Sequence, residues 1–223
     1  MQQYKNLILI GTSHISIESI KTVKNKILEI KPKIVALELD QQRFNSLMYK
    51  KKRKTKLSDI RKIGLTGYIF NIMGAFAEKK LGKLVGVSPG SEMKEAAKAA
   101  FKVKADLALI DQDITITLSK LSKRLSWKEK FYFVWDLIQS AFSSKKIDFD
   151  LKKVPSKKTI NKMTAHVKKH YPSIYLTLIK ERNEYMAKAL YKLMKTYPGE
   201  NLIAVVGAGH EEEMIELIKK CKD

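Results

Sequence analysis

The sequence predicts an α/β fold: a mainly parallel β-sheet of few strands, flanked by helices, with a large helical insertion in the middle. Three observations predict it. Short apolar runs at Leu7–Ile10, Ile34–Leu37, Asp106–Ile110 and Leu202–Val206 have the pattern of strands buried on both faces of a sheet. Segments with helical spacing separate them, which favours crossovers and parallel pairing. Polar residues close all four runs: His14, Glu38 with Asp40, Asp111 with Asp113, and His210.

The elements follow in order. After the strand Leu7–Ile10, Ser16 is a candidate N-cap with Glu18 in the first turn, and Ile20, Val23, Ile27 and Ile30 keep helical spacing up to Pro32. Ile34–Leu37 is the second strand, and a helix runs from Gln41 to about residue 53. Residues 57–104 are expected to be mainly helical. Within them Gly64–Ala77 carries no charge but is too short for a membrane span, so it suits a buried helix, a dimer face or an interfacial segment. Ser88-Pro89-Gly90 signals a turn before an alanine-rich helix, Glu92–Lys104. Asp106–Ile110 is the third strand. Helices Ile114–Leu125 and Trp127–Phe142 follow, then a polar connection at Ser143–Lys158, a helix around Ile160–His170, and one long helix from Ser173 to Tyr197. Leu202–Val206 and a terminal helix from Glu211 close the chain. The whole, residues 1–223, is read as one domain whose middle sections, 57–104 and 114–197, are mostly helical.

Composition narrows the function classes. A chain of 223 residues that is 44% hydrophobic and 30% charged can bury a core, and disorder is not expected. The lone Cys221 excludes an internal disulfide framework and fits a reducing, cytoplasmic setting. No secretory signal or membrane-spanning run is visible. The formal charge of +21 implies attraction to polyanions, an anionic membrane surface among them. Its densest run is KKKRKTK at 50–56. Aromatic–basic interleaving, helix-turn-helix spacing and zinc-finger spacing are all missing, so nucleic acid is not the expected partner.

The strand ends carry the candidate chemistry. Gly11-Thr12-Ser13-His14 and Gly207-Ala208-Gly209-His210 place the same Gly-x-x-His after two strands far apart in sequence. In an open parallel sheet the carboxyl ends of the strands share one edge, where ligands bind. Two imidazoles and a carboxylate there suit a divalent metal or an acid–base pair. Glu38 lies inside the strand pattern, where helix capping does not explain it, whereas Asp40 and Asp113 read as caps. Asp111 closes an apolar strand. Arg182 falls on the apolar stripe of its helix and needs a partner, either a neighbour such as Glu181 or an active-site carboxylate or oxyanion. Glu92 suits the first turn of its helix. His166 and His170, spaced i, i+4 among lysines, read as a solvated basic face.

Several blocks together resemble the TraB/PrgY (pheromone-shutdown) family: LIGTSHIS at 9–16, VALELDQQR at 35–43, PGSEM at 89–93, IDQDI at 110–114 with Thr117-Leu118, ERNEYM at 181–186 and VVGAGH at 205–210. They run in family order across nearly the whole chain. The family is grouped with GumN and with the metal-dependent Tiki proteases, and more distantly resembles erythromycin esterases and ChaN-like proteins. The resemblance implies an α/β fold with both Gly-x-x-His motifs at one site, a divalent metal (Mn or Co before Zn), and a metal-dependent hydrolase or peptidase acting on a peptide or protein substrate. On this chain the metal would fall to His14, His210 and Glu38, with Arg182, Asp111 and Glu92 in support. Three features depart from the pattern: Gln112 stands where relatives carry Arg, Glu211-Glu212-Glu213 follow the last motif, and the membrane helices of many prokaryotic relatives do not follow. A soluble short form or a protein anchored through a further membrane region are both consistent with that. The alternative expectations are a non-catalytic protein that sequesters a peptide signal, and a basic binder of nucleic acid or a membrane surface. A homodimer through Gly64–Ala77 is a further expectation.

Overall fold

The computed structural model describes residues 1–13, 16–49, 56–85, 88–142 and 156–221. His14, most of the basic run at 50–56 and nearly all of the polar connection at 143–158 lie outside them. A five-stranded sheet has the order β1-β2-β5-β3-β4, with β1 Gln2–Tyr4, β2 Leu7–Thr12, β3 Ile34–Leu37, β4 Asp106–Leu109 and β5 Leu202–Gly207. All pairings are parallel except β1 on β2, a hairpin. The expected strands and mainly parallel sheet are therefore present. Strand β1 was not foreseen, because QQY has no apolar pattern. Strand β5 lies between β2 and β3, and its place is physically reasonable. All six of its residues are buried, as a central strand of a covered parallel sheet requires.

Alternation along the strands divides the core into two layers. Leu7, Leu9, Ile34, Ala36, Leu202, Ala204 and Val206 face Met186, Leu190, Met214 and Ile218, which come from α9 (Glu181–Thr196) and α10 (Ala208–Lys220). Ile10, Val35, Leu37, Ile203 and Val205 face Val23, Ile27, Met93, Ala96, Ala97 and Ala100, from α1 (Ile17–Ile30) and α4 (Ser91–Lys102). The alanines of α4 let it lie close on α1 and β3. Each fully buried Leu, Ile or Val contributes roughly 1.5–3 kcal/mol.

The remaining helices are α2 (Gln41–Tyr49), α3 (Ile60–Val85), α5 (Ile114–Arg124), α6 (Trp127–Phe142), α7 (Lys157–His170) and the single turn α8 (Pro172–Tyr175). Ser16 caps α1, accepting from Ser19 N–H at 3.2 Å, and Asp113 caps α5, accepting from Thr115 N–H at 2.7 Å. Gly64, at φ 72° and ψ 163°, breaks α3 near its start; only glycine tolerates that backbone. The expected long helix 173–197 is interrupted by a π-turn at Leu176–Lys180. The last helix starts at Ala208, not at Glu211, so His210 sits in its first turn. No helix among the described residues is long and apolar enough to cross a membrane.

Candidate functional site

Parallel register brings three strand ends together. Leu37 lies opposite Val205 on one side and Leu109 on the other. The next residue, Glu38, donates its N–H to Val205 O at 3.1 Å. Its carboxylate Oε2 accepts the N–H of Gly207 at 2.6 Å. Asp111 N–H reaches Leu39 O at 3.4 Å. Glu38 and Asp111 are each 5% exposed, so each carboxylate needs compensation.

Arg182 supplies it. Its Nη2 bonds both Glu38 Oε1 and Asp111 Oδ2, the latter at 2.6 Å, and its Nε donates to Asp111 Oδ1 at 3.1 Å. Its Nη1 donates to Leu178 O at 3.1 Å, a carbonyl inside the π-turn. These bonds leave one Nη1 hydrogen for another acceptor. The partners of Arg182 are thus the strand-end acids. Glu181 instead pairs with Lys120 and Arg124 on α5.

A second guanidinium extends the network. Arg43 joins Asp111 Oδ2 at 2.5 Å and Asp40 Oδ2 at 2.7 Å. Asp40 also caps α2, accepting from Arg43 N–H at 2.9 Å, as its sequence position implied. Gln112 turns away and donates to Thr117 Oγ1 at 3.1 Å. Three carboxyl groups here face two guanidiniums.

His210 Nε2 lies 3.3 Å from Glu38 Oε1, and Nδ1 lies 2.5 Å from Asn183 Oδ1. Asn183 is 0% exposed, and its Nδ2 donates to Glu213 Oε2 at 2.8 Å. A carboxylate only accepts, so Glu213 fixes which end of the Asn183 amide faces the ring. The Asn183 carbonyl then requires a proton on Nδ1. That leaves Nε2 aimed at a carboxylate oxygen, a contact that needs a proton or another cation between the two acceptors. Burial pushes the Glu38 carboxyl up, but His210, Arg182 and the Gly207 N–H together outweigh it and hold the carboxyl well below its usual range.

The expected residues divide as follows. Glu38, Asp111, Arg182 and His210 meet at one edge. Glu92 is buried in the first turn of α4. His14 lies outside the described residues, just beyond β2. A Cβ on its motif glycine, Gly11, would displace the Glu211 carboxylate and stand 3.3 Å from the Ala208 Cα. Arg43, Asn183, Glu213 and the Gly207 N–H were not foreseen as site groups. Asn183, next to Arg182, and Glu213, three residues past His210, could have been suspected, but only the fold pairs them.

A divalent metal fits this chemistry in part. A ring whose Nδ1–H is held by a carbonyl is the usual form of a metal-binding histidine, and Glu38 is a suitable second donor. Glu38 Oε1 also receives Arg182, however. Among the described residues no group of three His, Cys, Asp or Glu is placed to hold a metal.

The fold and site define an α/β protein with a buried carboxylate–guanidinium–imidazole network at the carboxyl edge of its sheet. The family model described as TraB/PrgY/gumN matches residues 2–221, and the chain belongs to that family. An uncharacterized protein of Methanocaldococcus jannaschii is 39% identical over 220 residues, covering 98% of this chain and 54% of its own length. TraB domain-containing proteins of Mus musculus and Homo sapiens are each 27% identical over 196 residues, covering 82% of this chain and 51% of their own. The chain thus spans about half the length of these relatives.

Proposed function

We propose that this chain is a hydrolase of a peptide or related acyl substrate, with His210 as its proton-transfer group. The observation that carries the reading is the opposition of His210 Nε2 and the buried Glu38 carboxylate, with the ring orientation set by Asn183 and Glu213. A Glu held well below its usual range is a weak base. Glu38 therefore serves as a fixed negative charge that stabilises the imidazolium. Water adds to the substrate carbonyl carbon and gives its proton to Nε2 of the neutral, Nδ1-protonated His210 ring, which becomes the imidazolium. The proton then passes to the leaving amine nitrogen, and a carboxylic acid and an amine are released. The remaining Nη1 hydrogen of Arg182 is the available donor for the developing oxyanion.

A divalent metal, Mn or Co before Zn, would be held by His210 and Glu38 together with His14. When bound it would supply a water acidified toward neutral pH. The second reading, a protein that sequesters a peptide in the same crevice, draws on the near-complete use of the Arg182 donors within the protein.

The test is a peptide pool incubated with wild type, Glu38→Gln and His210→Ala, with and without Mn or Co, and read by mass spectrometry. New termini with wild type only, while all three proteins keep the same circular dichroism, support hydrolysis. Peptides retained intact by wild type support sequestration and reject hydrolysis.

A further inference from the structure

Helix α7 carries two of the chain's four histidines, and the strand-end site uses neither. His166 and His170 stand one helical turn apart, both exposed. Their rings stack, with 4.4 Å between centroids and 28° between planes. Neither ring has a hydrogen-bond or ion-pair partner among the described residues, so the ring nitrogens are not committed within the protein. A third donor lies on the same stripe. Met163 is 52% exposed and precedes His166 by three residues, a spacing that makes side chains neighbours on a helix surface. At 100° per residue, Met163, His166 and His170 fall within about 60° of one another. In the sequence the histidine pair reads as part of a solvated basic face; the structure adds the stacking and the exposed thioether.

Donor type selects the ion. Residues 157–170 contain no acid, so α7 has no carboxylate for a hard cation. Paired imidazoles four residues apart on a helix have the spacing that chelates transition metals. Adding a thioether makes the set soft to borderline, which favours copper, and the thioether favours Cu(I) in particular. Zinc instead draws on thiolate, imidazole and carboxylate. Lys162, Lys168 and Lys169 lie outside the 60° arc, and Lys168 Nζ sits 5.4 Å from the Tyr175 ring centroid. Their charges repel any cation, and they repel a singly charged one least. His170 is the last residue of α7, where the helix dipole is negative and offsets part of that repulsion.

We infer that Met163, His166 and His170 form a cuprous-ion site on the exposed face of α7, separate from the carboxylate–guanidinium network at the sheet edge. The two imidazoles hold the ion, and the Met163 thioether gives preference to its reduced state.

The full chain carrying Cys221→Ser, which removes its lone thiol, is titrated anaerobically with Cu(I) in competition with the chelator bicinchoninate. The expected result is transfer of Cu(I) from the chelator to the protein. His166→Ala and His170→Ala should each weaken binding by about tenfold or more. Met163→Leu should weaken Cu(I) binding by about tenfold while leaving Cu(II) binding, titrated in air, within about twofold. All three side chains are exposed, so each variant should keep the wild-type circular dichroism. His210→Ala should retain the affinity of the parent. No transfer of Cu(I) overturns the inference, as does full affinity in both α7 histidine variants. Loss in His210→Ala in place of the α7 variants assigns the ion to the sheet edge and equally overturns it. A Met163→Leu protein that binds Cu(I) like its parent removes the thioether, and with it the cuprous assignment.

Discussion

At the carboxyl edge of the sheet, charged side chains are drawn out of water and bonded to one another; on α3 and α6, apolar side chains such as Leu65, Phe76, Trp127 and Phe131 stand exposed to water. Arg182, Arg43, Glu38, Asp111 and Asp40 form one connected group at the ends of β3 and β4, bridged by guanidiniums from α2 and α9. Burying charge is costly unless each group is matched, so this cluster tolerates few changes and holds its geometry. The outward residues of α3 and α6 have no such mutual constraint among the described residues. The difference separates side chains that fix one another from side chains that touch little, and substitutions in the two regions should differ in size accordingly.

The largest effect is expected at Arg182. Arg182→Met leaves Glu38 and Asp111 buried without their shared cation, and urea denaturation should show a loss of about 3–5 kcal/mol. Arg182→Lys should recover only part, since an ammonium cannot reproduce the two-armed bond to Asp111. Next comes Asn183→Leu, which leaves His210 Nδ1 and Glu213 without their partner and should cost about 1–3 kcal/mol.

Glu38→Gln sharpens the comparison through pH. The folded carboxyl sits below its ordinary value, whereas the unfolded one titrates near about 4.3. A lowered folded value means that ionisation favours the folded state above the unfolded value, and that this contribution disappears as pH falls through the folded value. The stability gap between wild type and Glu38→Gln should hold near neutral pH and close below about 4.3. A gap constant across that range would show that Glu38 does not carry its charge into the fold. The smallest effect belongs to the outer face: Ile69→Gln and Phe131→Gln should each change stability by no more than about 0.5 kcal/mol.

Much of this arrangement was legible in the sequence, for a physical reason. A strand buried on both faces must be apolar throughout, so Glu38 stood out as a charge where β3 ends; Asp111 stood out the same way, although β4, an edge strand, is only half-buried and not buried on both faces as expected. Parallel pairing then put them on one edge whatever the strand order. Arg182 was visible as a charge on an apolar helical stripe. The rest depends on contacts between distant residues. The hydrogen bonds from Glu213 through Asn183 to His210 join α9 to α10, and no spacing rule predicts them. The π-turn at Leu176–Lys180, whose Leu178 carbonyl takes an Arg182 donor, leaves the apolar periodicity nearly unchanged. Strand order was likewise hidden, since the run at 202–206 resembles the others until the neighbours on both sides are known.

The account rests on the position between Glu38 Oε1 and His210 Nε2. The most direct measurement is the ¹⁵N spectrum of histidine-labelled protein, with the His210 signals assigned by their loss in His210→Gln. The account predicts a proton on Nδ1 in wild type, relaxed to mixed tautomers in Asn183→Leu, and an Nε2 signal that moves in Glu38→Gln. A His210 ring protonated on Nε2 alone, or one indifferent to both substitutions, would contradict it.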